Sequence, residues 1–220
     1  MKKTVCALAF ALAAVAVTST AQAQGVRLGI KGGANLSNLS GDLTNDDGYD
    51  NKVGFHGGLM LNVGLLDDGF LSLQPEVLFS QKGFDYNDSY AFGVYKNTGS
   101  VTYNYIDVPV LLKLKAGGLF FEAGPQYSYL LKVKDESTQT LNGNVIARGS
   151  GEADLDNVNR NEIGYAAGLG FQSDIGVLLG LRYNGSFTDF AKNNSYRNGE
   201  LSNARNSVFQ LSLGYLIPSK

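Results

Sequence analysis

Six charged residues stand at alternate positions within otherwise apolar segments: Lys31, Glu76, Asp107, Lys113, Glu122 and Arg182. Gathered in one enclosed space, three cations and three carboxylates could form an ion or proton path. They read instead as a plug of salt bridges that locks that space, because a buried charge without a partner is very costly. The single histidine, His56, is a candidate general base. Base catalysis on a hydroxyl needs a nucleophile beside the base and an acid or amide to orient it. The residues around His56 offer no nucleophile motif, only scattered loop serines. One histidine and a single cysteine, Cys6 near the N-terminus, argue against a typical zinc site, and no pattern calls for a cofactor. Two acidic clusters, Asp42, Asn45, Asp46, Asp47 and Asp50, and Glu152, Asp154 and Asp156, could bridge divalent ions. They lack the EF-hand order and read as solvated loop surface.

These charges sit on segments with a period of two. Leu71, Leu73, Pro75, Val77 and Phe79 interleave with Ser72, Gln74, Glu76, Leu78 and Ser80, which puts each set on its own face of a strand. Strands are predicted at about 25–38, 53–66, 69–84, 101–115, 118–133, 161–173, 176–190 and 205–217. The connections after the second, fourth and sixth are short: Asp67-Asp68-Gly69, Gly117-Gly118 and the region of Asp174-Ile175-Gly176. Those after the first, third, fifth and seventh are long and polar, roughly 39–52, 85–100, 134–160 and 191–204. Short turns at one rim and long loops at the other are the pattern of an eight-stranded antiparallel up-and-down transmembrane β-barrel. The strands exceed the 9–11 or so residues that cross a bilayer, so they are expected to project beyond its outer surface.

Turn chemistry sets the register. Gly117-Gly118 as a two-residue turn puts Lys113 opposite Glu122 and Leu114 opposite Phe121. A three-residue turn with Gly69 left-handed puts Asn62 opposite Gln74 and Val63 opposite Leu73. Both hairpins keep like faces together, a strict test because a one-residue slip exchanges the faces. Arg182 is expected to face Ala166 or Gly168, which leave room for its guanidinium. Pro75, Pro109 and Pro125 lie inside strands of a closed barrel that has no edge to absorb a missing donor, so bulges or local gaps in the ladder are expected there.

The polar rows are rich in glycine, as in Glu162, Gly164, Ala166, Gly168, Gly170 and Gln172. Glycine weakens a water-facing strand, whereas a narrow eight-stranded interior needs small residues with a few long ones to fill it. The apolar rows are bulky, as in Ile106, Val108, Val110, Leu112 and Leu114, and face lipid in this reading. Tyr127, Tyr129, Tyr165, Tyr183 and Phe187 near the long-loop ends, and Phe121, Phe171 and Tyr215 near the short-turn ends, then form two aromatic girdles.

Residues 1–23 have the features of a secretory signal peptide: Lys2 and Lys3, an apolar run from Val5 to Val17 too short to span as a helix, and Ala21-Gln22-Ala23 before the cut. The barrel domain is then 24–220, without cysteine. The whole chain carries a formal charge of −2, and loss of Lys2 and Lys3 leaves about −4. It has no basic run for nucleic acid, and no apolar stretch of about 20 residues for a membrane helix.

The segments GIKGGANLSNLSG (Gly29 to Gly41), LQPEVLFSQKG (Leu73 to Gly83), YIDVPVLLKLK (Tyr105 to Lys115) and EAGPQYSYLL (Glu122 to Leu131) resemble, in order and spacing, the porin-like (PorT-like) outer-membrane β-barrel family of Gram-negative bacteria. The resemblance covers about Gly25 to Ile217 and implies an eight-stranded barrel in the outer membrane. A PorT-like label implies a link to protein secretion, which no residue of this chain carries. The chain departs from many outer-membrane barrels in ending Leu216-Ile217-Pro218-Ser219-Lys220 rather than in an aromatic residue.

Three functions are open at this point. The first is a structural or interaction protein in outer-membrane lipid, meeting an extracellular or envelope partner through its long loops and passing at most very small solutes. The second is an outer-membrane lipid-modifying enzyme, a lipase or acyltransferase, using His56. The third is a soluble lipocalin-like carrier.

Overall fold

Alternating apolar and polar residues become strands that bury the charged row and expose the greasy one. The computed structural model of the chain describes residues 25–40, 49–66, 69–90, 94–152, 155, 158–190 and 204–218. The signal peptide expected at 1–23 lies outside the described residues. So do Asp42, Asn45, Asp46, Asp47, Asp67, Asp68, Asp154 and Asp156, and most of the fourth long loop.

The described residues form strands β1 (Val26–Ser40), β2 (Tyr49–Gly64), β3 (Leu71–Tyr90), β4 (Tyr95–Ala116), β5 (Leu119–Leu141), β6 (Asn144–Glu152), β7 (Asn161–Gln172), β8 (Val177–Ser186) and β9 (Arg205–Leu216). All pairings are antiparallel, and eight strands close a ring in the order β1, β2, β3, β4, β5, β7, β8, β9, with β9 returning to β1. β6 stands outside the ring, paired with the far end of β5.

The register matches that set by the turns: Lys113 opposes Glu122, Leu114 opposes Phe121 and Val63 opposes Leu73. Asn62 Nδ2 donates to Gln74 Oε1 at 3.4 Å. Gly69 (φ 68°) and Gly117 (φ 60°) take the left-handed conformations their turns require. The three prolines interrupt the ladder without shifting it. Pairing skips two residues between Met60/Glu76 and Val63/Leu73, between Pro75/Val110 and Leu78/Asp107, and between Pro109/Gln126 and Leu112/Ala123. The true bulges lie elsewhere, at Asn51/His56, Asn104/Tyr105 and Gln139/Thr140.

Two expected loops are mostly strand. Of 85–100, β3 takes residues up to Tyr90 and β4 begins at Tyr95; of 134–160, β5 continues to Leu141 and β6 returns. The turn between β5 and β6 is Asn142-Gly143, both at positive φ (50° and 80°), the pattern of a two-residue hairpin. At the other extreme, β8 ends at Ser186 rather than near 190, and Phe190 turns into the barrel mouth, 3% exposed.

The outward row changes character along these tall strands. On β4 it runs Lys96, Thr98, Ser100, Thr102, Asn104, then Ile106, Val108, Val110, Leu112, Leu114. On β3 the same change falls between Phe79 and Gln81, which pair with Ile106 and Asn104. On β5 it falls between Tyr129 and Lys132, partners of the same two residues. One level therefore separates a greasy outer wall from a polar one on three neighbouring strands. Above it the inward row becomes apolar instead: Phe84, Tyr86, Val101, Tyr103, Tyr105 and Val133 are buried there. The sequence reading of an inward row made of glycine, amide and charge thus fails for the long-loop end, where water bathes the outside of the sheet and the core lies within.

Candidate functional site

The lumen is filled in layers from the short-turn end upward. Met60, Phe120, Leu178 and Leu216 form an apolar floor. Phe120 fits because Gly170 and Gly180 lie beside it: a Cβ on Gly170 would come within 2.5 Å of its ring. Lys113 lies over that ring, 4.0 Å from its centre.

Above the floor is an ion-pair layer. Arg182 of β8 is 2% exposed. Its Nη1 and Nη2 donate to the two carboxylate oxygens of Glu76 at 2.8 and 2.9 Å, and its Nε donates to Glu122 Oε1 at 2.8 Å. Lys31 Nζ reaches Glu76 Oε2 at 3.4 Å, and Gln74 Nε2 donates to Glu76 Oε1 at 2.8 Å. Arg182 pairs with Gly168 in register, where a Cβ would lie 3.1 Å from its own Cβ. The planar fork of arginine suits two carboxylates at once.

Of the six charges singled out in the sequence, all are buried and inward. Lys31, Glu76, Glu122 and Arg182 meet in this layer. Lys113 and Glu122 face each other across β4 and β5, but the ammonium of Lys113 donates to Gln172 Oε1 at 2.9 Å and Gln74 Oε1 at 3.2 Å, while Glu122 is taken by Arg182. Asp107 stands apart in a second ionic group: Lys82 Nζ lies 3.0 Å from Asp107 and 3.5 Å from Glu162, and Asn206 Nδ2 donates to Glu162. Sequence reasoning placed Glu162 on the polar row without giving it a role and left Lys82 out. Lys82 has the parity of Glu76 on β3, and that signal could have found it.

His56 lies between the two ionic groups, 2% exposed. Asn35 Nδ2 donates to the carbonyls of Phe55 at 3.2 Å and Gln81 at 2.7 Å, so its Oδ1 is the acceptor toward His56 Nδ1–H at 2.7 Å. That assignment leaves Nε2 to accept from Ser212 Oγ at 2.9 Å. Serine, histidine and amide thus stand in the order of a nucleophile, a base and an orienting group, which the sequence did not reveal because Ser212 is 156 residues from His56. Ser212 is itself 2% exposed.

The mouth is capped by an apolar cluster that includes Leu39, Phe84, Tyr103, Leu130, Val158 and Phe190. Phe190 packs on Tyr103 at 4.5 Å between ring centres. Backbone bonds from Asn159 N to Phe190 O and from Phe190 N to Ala204 O, both 2.8 Å, tie the connecting segments over the opening.

On the outer wall, Tyr165 packs on Tyr183 and Phe187 at 6.1 and 5.2 Å, and Tyr183 on Phe209 at 5.0 Å. Tyr127 OH donates to Asn161 Oδ1 at 2.7 Å, and Arg160 lies 5.0 Å from the Tyr129 ring centre. Phe121, Phe171 and Tyr215 are exposed toward the short-turn end. Phe209 joins the upper group without having been singled out.

A closed ring of eight antiparallel strands, greasy outside and charged within, defines an integral outer-membrane β-barrel. Residues 20–192 match the outer membrane protein beta-barrel domain family, and the chain belongs to that family. No curated protein matches it. Among solved structures it is similar to Ail of Yersinia pestis in complex with the heparin analogue sucrose octasulfate: 12% identity, 88% of this chain and 100% of that one covered, TM-score 0.44. It is likewise similar to Neisserial surface protein A (12% identity, 87% and 99% covered, TM-score 0.46). A third is OprG from Pseudomonas aeruginosa (12% identity, 90% and 98% covered, TM-score 0.41).

Proposed function

We propose that this protein is a non-catalytic surface protein, in which a sealed barrel anchors in outer-membrane lipid and carries a tall extracellular sheet that binds an envelope or extracellular partner. The observation that carries this reading is the filled lumen. An apolar floor, two ionic groups and an aromatic cap follow one another along the axis, and a core built this way supports a rigid anchor rather than a conduit. The aromatic residues at the two ends of the outer wall serve as girdles at the membrane interfaces. The Ser212–His56–Asn35 arrangement favours a second reading, a lipid-modifying hydrolase. Its burial argues against it, since an acyl substrate has to reach Ser212 Oγ and all three side chains are enclosed.

Planar-bilayer recording of the folded protein tests the anchor reading: no steady conductance is expected at moderate voltage. A stable open state in the unmodified protein contradicts it. Replacing His56 with alanine and comparing lipid A profiles separates the enzyme reading, which requires a changed profile.

A further inference from the structure

β6 ends the tall sheet with an edge that no strand covers among the described residues. It pairs with β5 alone, from Lys134/Glu152 to Leu141/Asn144, and all nine of its residues are exposed. An uncovered edge presents unpaired N–H and C=O groups, and natural sheets usually blunt such an edge with proline, dense charge, a bulge or a covering segment. β6 contains no proline; a bulge interrupts its first half between Val145 and Ala147, where Val145 and Ile146 are 50% and 53% exposed, and Arg148 to Glu152 run on in unbroken pairing. Its middle carries Arg148, opposite Thr138. Lys132 pairs with Glu152 and Lys134 with Glu136 on the same sheet, whereas Arg148 and Lys96 make no ion pair among the described residues.

We propose that the free edge of β6 binds an extended, acidic polypeptide segment of a partner protein by strand addition, with a carboxylate of that segment meeting Arg148. This rests on the surface-display reading and names the class of partner. Backbone pairing along Arg148 to Glu152 supplies the affinity, and an acid against Arg148 supplies the selectivity. A second copy in the same membrane fits less well. Its symmetry axis runs along the membrane normal and brings two Arg148 side chains to one contact, and like charges in contact repel.

The test uses the full chain in nanodiscs and two synthetic peptides of alternating valine and glutamate. One is unmodified; the other is N-methylated at every amide, which keeps the charge and removes the donors of both strand edges. The unmodified peptide is expected to slow hydrogen exchange at alternate β6 amides and the N-methylated one is not. Arg148→Glu is expected to weaken binding about tenfold, the size of a lost charge-assisted hydrogen bond. Equal binding of both peptides, no slowed β6 amide, or protection confined to another surface overturns the proposal. The last of these leaves surface display itself standing.

Discussion

The guanidinium of Arg182 on β8 crosses the lumen to the carboxylate of Glu76 on β3, the strand opposite in the eight-membered ring, with parallel hydrogen bonds of 2.8 and 2.9 Å. A third hydrogen bond ties the same guanidinium to Glu122 on β5. One side chain thereby fixes the separation of three strands whose backbones do not touch one another across the lumen.

Removing it leaves two buried carboxylates. Arg182→Met is expected to cost about 3–5 kcal/mol, the range for breaking a buried ion pair from one side. Adding Glu122→Gln to it is expected to restore part of that loss, because Glu76 keeps Lys31 as its ion partner and no unpaired carboxylate then remains. Urea unfolding in detergent, followed by circular dichroism and heat-modifiable gel migration, reads both.

Cross-strand position and ionic partnership are separable here. Lys113 and Glu122 are register partners, yet their charges go elsewhere. A double-mutant cycle on Lys113 and Glu122, which are linked through Gln74, is expected to show the weaker coupling. The cycle on Arg182 and Glu122 is expected to show a coupling of about 0.5–3 kcal/mol. Coupling of similar size in the two cycles contradicts this arrangement.

The polar tie around His56 is structural in this account. His56→Ala removes the acceptor of Ser212 and one of two donors to Asn35 Oδ1, the other being Gln210 Nε2, and is expected to cost about 1–3 kcal/mol for the buried hydroxyl left unsatisfied. Ser212→Ala is expected to do less, since only one hydrogen bond is lost. Reactivity toward a fluorophosphonate probe is expected to be absent from the unmodified protein, and labelling at Ser212 sinks the structural reading.

Much of this was legible in the chain. Period two, the short turns and the parity of Lys113 with Glu122 mark the eight strands of the ring, their order and the inward row of their lower halves. The facing of Arg182 toward a small residue was legible as Ala166 or Gly168, and the register selects Gly168. What was not legible depends on reach and on medium. The Lys113 ammonium chooses among carbonyls supplied by Gln74 and Gln172, residues 39 and 59 positions away, and strand parity carries no information about that choice. Ser212 meets His56 only because β9 closes on β1. The upper halves of β3, β4 and β5 read as polar loops because their outer face meets water, although Asn142-Gly143 already marked a hairpin. The prolines announced the ladder gaps, since each removes a donor from a strand with neighbours on both sides.

One level on the outer wall, between Asn104 and Ile106, divides water from lipid. Spin labels on cysteines placed singly at Thr98, Thr102, Asn104, Ile106, Val108 and Val110 of the protein in liposomes test it through their collision rates with oxygen and with a water-soluble nickel chelate. Nickel accessibility is expected at 98, 102 and 104, with a switch to oxygen accessibility at 106, 108 and 110. Nickel accessibility along the whole row contradicts the lipid-facing wall, and with it the barrel's place in the membrane.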